Sequence, residues 1–373
     1  MSPDDRLAHQ RVPPVEAVVP PVEPEDDAIA SAVDDLIPGA DVPRADVRQV
    51  RELVATGIRL GQDRTDRLDL KIAAAALTEM RAAFRIFAPY NDIPKVTIFG
   101  SARTQATDPG YVQAHDVAAA LADDGWMVVT GAGPGIMQAA MEGAGADRSI
   151  GVSIRLPFET SANAVIAGDA KLVSMKYFFT RKLMLVKESK AFVSVPGGFG
   201  TLDETFELLT LQQTGKAEPT PIVLLDHAVG TYWHGFSRFV TEEVVPRGLV
   251  AADDLERVLV TDSVDEAVAE INGFWRNYDS LRWVGDRLVL RLRCEPTDAE
   301  VSELNERFRQ YLAKGSITKS GPIGPERSEG DQLDLPRLVM VWDQYRIGEL
   351  HQIVRAINAL ESAHGSASTN WGG

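Results

Sequence analysis

The strongest constraint on this chain is a rhythm. Seven short runs rich in β-branched and apolar residues recur along it: Val96–Phe99, Trp126–Thr130, Ile150–Ile154, Lys171–Ser174, Ala191–Val195, Pro221–Leu225 and Val258–Thr261. Most are separated by roughly 10 to 20 residues with helical periodicity, the grammar of βαβ units and of a parallel sheet covered by helices. The pattern predicts an α/β fold over residues 93–278, a Rossmann-like doubly wound parallel sheet. Ser263 followed by Glu266 is a capping-box pair that opens a helix after the last run.

The flanks read differently. Residues 1–45 hold ten acids, three arginines and eight of the 21 prolines, with no aromatic residue before Phe84. So little apolar surface cannot offset the entropy of ordering a chain, and the segment is expected to be a disordered acidic, Pro-rich tail. Over 46–92, Val50, Leu53, Val54, Ile58 and Leu60 and then KIAAAALTEMRAAFRIF predict two helices, closed by Pro94. Residues 279–373 predict a small β-α-β-α appendage: strand Arg287–Leu292, helix Asp298–Leu312, the loop SITKSGPIGPERSEGDQ, strand Leu338–Trp342 and helix Ile347–Leu360.

Composition excludes several classes of function. A net charge of −16 argues against a broad grip on nucleic acid, which needs excess Lys and Arg to displace counterions, and against anionic membrane surfaces. The single cysteine, Cys294, excludes an internal disulfide framework and any Cys-based zinc site. No apolar run approaches the ~18 residues that span a bilayer, and the basic start of a secretion signal is missing, so a cytoplasmic protein is expected. The six histidines do not group, no metal-ligand cluster is visible, and no cofactor is expected. Tyr232 and Trp233, at a helix start, read as core or interface.

Ligands of an open parallel sheet sit beyond the carboxyl ends of its strands, and three junctions there are unusual. Gly100 and Ser101 end the first run, with Arg103 close behind; a tight turn and a phosphate neighbour are both open readings. Gly131-Ala132-Gly133-Pro134-Gly135 follows the second and leads into a helix whose N–H groups and dipole favour an anion. Its spacing is G-x-G-x-G rather than the dinucleotide G-x-G-x-x-G, and no P-loop sequence occurs. Pro196-Gly197-Gly198-Phe199-Gly200-Thr201-Leu202-Asp203-Glu204 follows the fifth run and forms a second cradle, with Glu204 expected in the first helical turn. Arg181 and Lys182, upstream, offer positive charge to a phosphate and to Glu204.

The stretch YFFTRKLMLVKESKAFVSVPGGFGTLDETFELLTLQQTG resembles the longer branch of the LONELY GUY (LOG) family, marked by an Arg-Lys pair followed by P-G-G-x-G-T-x-x-E. The motif is matched in full at Pro196–Glu204, and the similarity covers about 93–278. Shorter members carry Met-His-x-Arg-Lys where Phe178-Phe179-Thr180-Arg181-Lys182 stands here. The resemblance implies a phosphoribohydrolase, of the AMP nucleosidase kind, that cleaves the N-glycosidic bond of AMP or a cytokinin riboside monophosphate. It implies Arg181 and Glu204 as the catalytic pair, Gly131, Gly133, Gly135, Gly197, Gly198, Gly200 and Thr201 around the phosphate, and a dimer or larger homo-oligomer. Glu159 and Asn163 correspond to a segment near the nucleoside. The label lysine decarboxylase, often given to this family, finds no support, since no candidate for a pyridoxal phosphate lysine is visible. The rival reading is a nucleotide-binding regulatory protein without turnover, prompted by the extra segments on both sides; carriage of a phosphorylated cofactor has no need of Glu204.

Overall fold

A computed structural model describes residues 27–155 and 162–364. The chain divides into two compact units, one up to Leu77 and one from Thr78.

The first unit holds α1 (Asp27–Leu36), a 3-10 turn (Ile37–Ala40), α2 (Val47–Gln62) and the start of α3 (Arg67–Phe87). Ile29, Val33 and Ile37 recur every fourth residue and bury together with Ala55. This corrects the expectation of disorder through residue 45: a four-residue apolar repeat builds a helical stripe even where average composition is acidic and Pro-rich. The remainder of that predicted tail lies outside the described residues.

In the second unit, β1 (Lys95–Phe99), β2 (Met127–Thr130), β3 (Ser149–Ile154), β4 (Leu172–Met175), β5 (Ala191–Ser194), β6 (Ile222–Leu225) and β7 (Val258–Thr261) form one parallel sheet in the order β4-β3-β2-β1-β5-β6-β7. The connecting helices are α4 (Pro109–Asp123), α5 (Ile136–Ala144), α6 (Phe178–Lys187), α7 (Phe199–Gln213) and α8 (Tyr232–Phe239), and α9 (Val264–Phe274) follows β7. Every residue of β1, β2, β5 and β6 is buried, as strands covered on both faces require. The expected Rossmann-like α/β architecture is therefore present, and its strand order reverses between β1 and β5. Ser263 accepts from the Glu266 N–H and starts α9.

The C-terminal segment is a four-stranded antiparallel sheet, β10-β11-β9-β8, built from β8 (Tyr278–Val284), β9 (Arg287–Leu292), β10 (Leu312–Ser320) and β11 (Arg337–Trp342), with α10 (Asp298–Phe308), α11 (Gly324–Glu329) and α12 (Leu350–Asn358). The predicted loop SITKSGPIGPERSEGDQ thus contains most of a strand and a helix, and β8 was not foreseen. Its core is continuous with that of the large sheet: Val96, Val193 and Ile271 belong to the same buried cluster as Leu288, Leu338 and Ile353. Among the described residues no helix is long and apolar enough to cross a membrane.

Candidate active site

The reversal of strand order opens a crevice between the carboxyl ends of β1 and β5, the place where ligands of such sheets bind. A cleft of about 920 Å³ lies there. The turn after β1 (Gly100, Ser101, Arg103), Gly131 after β2, the PGGFGT turn after β5, Arg181 from α6 and Glu204 from α7 all line it. The Ser101 N–H donates to the Pro196 carbonyl at 3.4 Å, joining the two turns. Ser101 Oγ accepts the Arg103 N–H at 3.0 Å, and the Arg103 guanidinium forms no ion pair among the described residues.

The glycines are not equivalent. A Cβ on Gly131 would stand 1.9 Å from Arg181 Nη2, so the guanidinium occupies the space a side chain would need. On Gly100 it would meet Ile136, and on Gly197 the Thr201 side chain at 2.2 Å. Gly135 has φ +68° and its Cβ would strike the Ser101 carbonyl at 2.3 Å. Gly198 and Gly200 have open space beside them, with Phe199 between them 93% exposed. The N-terminus of α7 is therefore bare backbone facing the cleft, and its first turn carries no acid. Glu204 falls in the second turn, beyond the reach of the dipole, and does not serve as a helix-end charge.

Arg181 and Glu204 are both largely withdrawn from solvent, at 13% and 14% side-chain exposure, with Nη1 and Oε1 4.0 Å apart. Arg181 Nε–H donates to the Val152 carbonyl at 3.0 Å, which aims the guanidinium. Burial pushes the Glu204 carboxyl up to about 7, against the downward pull of Arg181 and Lys182 and with help from Asp203 and Glu207. A carboxyl of that value exchanges a proton near neutral pH, the property of a general base.

Four predicted site residues do not line the cleft. Lys182 turns its ammonium to Asp203 at 2.9 Å and Glu207 at 2.5 Å on α7 and does not line the cleft. Asn163 is buried behind the glycine loop: its Nδ2 donates to the Gly133 carbonyl at 3.1 Å, its own N–H to the Ala132 carbonyl at 2.9 Å. It holds Ala132 at φ +58° rather than facing a ribose. Gly133 and Gly135 shape the same loop from outside the cleft wall. Glu159 lies outside the described residues. Tyr232 was missed: it lines the cleft and its O–H donates to the Gly197 carbonyl at 2.7 Å. Its place just after β6, at the carboxyl edge, was the available signal. Among the described residues no group of His, Cys, Asp and Glu is arranged to hold a metal.

A family profile described as "Possible lysine decarboxylase" matches residues 135–271. The chain is 31% identical over 156 residues to a cytokinin riboside 5′-monophosphate phosphoribohydrolase of Mycobacterium marinum, covering 41% of this chain and 80% of the relative. The protein of the same name from Mycobacterium tuberculosis is 32% identical over 161 residues, covering 42% and 81%. The chain belongs to the LOG family. A further relative of that name, from Arabidopsis thaliana, is 26% identical over 144 residues, with 38% and 64% covered. Among solved structures, the molybdenum cofactor carrier protein of Chlamydomonas reinhardtii is 25% identical, with 48% of this chain and 94% of that one covered and a TM-score of 0.33. Among the described residues no lysine lines the cleft of this LOG protein.

Proposed function

We propose that this LOG protein hydrolyses the N-glycosidic bond of a nucleoside 5′-monophosphate, AMP or a cytokinin riboside monophosphate, to the free base and ribose 5-phosphate. The observation that carries the reading is the Arg181–Glu204 pair on the floor of a cleft whose rim is the bare N-terminus of α7. The 5′-phosphate sits on the N–H groups of Gly198, Phe199 and Gly200, where the helix dipole favours an anion. That anchors the ribose with its anomeric carbon toward Glu204. Departure of the base breaks the C1′–N bond and leaves an oxocarbenium-like sugar; Glu204 stabilises that charge, takes a proton from the water whose oxygen bonds to C1′, and returns that proton to the departed base, worth about 10²- to 10⁴-fold. Arg181 keeps enough of Glu204 ionised for this despite its burial. The mycobacterial relatives' names support the same substrate class.

The test is a panel of nucleoside monophosphates and the matching nucleosides, assayed for released base with the wild type and Glu204→Gln. Base release from monophosphates, not from nucleosides, and its loss in the variant are expected. Tight nucleotide binding with no turnover over hours would instead identify a regulatory nucleotide-binding protein.

A further inference from the structure

We propose that Tyr232 is a positioning residue for the anion cradle: its hydroxyl selects the one orientation of the Gly197–Gly198 peptide in which the Gly198 N–H faces an incoming phosphate. The inference rests on the reading of that turn as a phosphate site. A peptide between two glycines has no Cβ on either side to hinder its rotation, so its plane is free to flip unless something holds it. Flipped, it would present a carbonyl oxygen to the ligand and repel the anion it is meant to bind.

The structure supplies the restraint. Tyr232 O–H donates to the Gly197 carbonyl at 2.7 Å, and no peptide bond among the described residues is cis. In a trans peptide the carbonyl and the following N–H point opposite ways. Since β5 lies between β6 and β1, an oxygen tied to Tyr232 on the β6 side leaves the Gly198 N–H directed to the β1 side, where Ser101 and Arg103 line the cleft. That N–H has no partner among the described residues.

Tyr232 is itself anchored from beneath. Its backbone N–H donates to Asp226 Oδ2 at 2.9 Å, and Oδ1 of the same buried carboxylate accepts the His227 N–H at 2.9 Å. Gly230 makes room for this carboxylate, since a Cβ there would lie 2.1 Å from Oδ1. The phenol packs edge-on to the buried Trp233 ring at 4.8 Å. Burial raises its ionisation above the ordinary tyrosine range, so it remains a donor.

The experiment is calorimetric titration of ribose 5-phosphate and of inorganic phosphate into wild type, Tyr232→Phe, Gly198→Pro and the double variant, with thermal melts of each. Gly198→Pro removes the N–H itself at a position with φ −87° and open space around the Cβ. Tyr232→Phe is expected to bind about ten-fold more weakly, the worth of one charge-assisted hydrogen bond, with KM raised and kcat unchanged. Gly198→Pro is expected to lose at least as much, and the double variant no more than Gly198→Pro alone. Wild-type affinity in Tyr232→Phe, or losses that multiply in the double variant, overturns the role of Tyr232 and leaves the cradle standing. Failure of the wild type to bind either probe overturns the cradle and this inference together.

Discussion

Three alanine substitutions in one loop, chemically identical, should fail in three different ways. At Gly131 the new Cβ would stand 1.9 Å from Arg181 Nη2 and 2.8 Å from Met137 Sδ, both ends of flexible side chains. Ordinary contact begins near 3.4 Å, so the guanidinium must retreat by about 1.5 Å, and a displacement of 1 Å near the chemistry costs about 10²-fold. Little is lost in stability because a flexible tip does the moving; about 1 kcal/mol, or ~2–4 °C in Tm, is the expected scale. Gly131→Ala should therefore reduce kcat by about 10²-fold in a nearly intact protein. At Gly133 the Cβ meets the end of the flexible Met137 side chain, its methyl at 2.7 Å and Sδ at 3.5 Å, and activity should stay within about three-fold. At Gly135 it meets the Ser101 and Ala102 backbone from a φ of +68°, neither of which can give. That variant should lose ~3 kcal/mol or more and melt about 10 °C lower. The assay is base release under saturating nucleotide beside a thermal melt of each variant. Full activity in Gly131→Ala would refute the argument that this glycine exists to seat Arg181.

The pH dependence follows from Glu204. As a general base it must be ionised, so activity should fall as pH drops below about 7, and Glu204→Gln should abolish that acid limb along with about 10²- to 10⁴-fold of the rate. Its folded value is raised above the unfolded one, so the native state is stabilised by this group below about pH 4.5 and loses that contribution as pH rises through 7. Glu204→Gln should consequently be more stable at pH 8, by up to about 3 kcal/mol in denaturant melts, and a variant no more stable than wild type there would contradict the burial argument. Lys182→Met should leave KM within about three-fold, since its ammonium is committed to Asp203 and Glu207; a ten-fold rise would return Lys182 to the substrate. Glu326, fully buried between Arg291 and Arg337, should cost about 3–5 kcal/mol as Glu326→Ala, measured by urea unfolding, because the buried Arg337 guanidinium loses its carboxylate and Arg291 is left with Asp331 alone.

What was legible follows from how each element is buried. The inner strands β1, β2, β5 and β6 of the large sheet are buried along their whole length, so their runs are largely apolar, and that signal survives without any knowledge of neighbours. β10 carries the opposite signature: only Ile317 is buried, Gly315 sits at φ +73°, and the pairing with β11 shifts register twice, so no period of two exists to be read. The same reasoning separates the parts of the site. Gly131 and the PGGFGT turn sit at strand-to-helix junctions whose glycines mark them along the chain, Glu204 follows the second and Arg181 lies in the helix before β5, and the fold brings them together. Tyr232 reaches that junction only through the order of strands, since β6 lies beside β5 although α7 separates them in sequence. Lys182 errs for a related reason. Adjacent residues on a helix point about 100° apart, so of the pair Arg181-Lys182 one cation can face the cleft while the other meets α7, and only the position of α7 decides which.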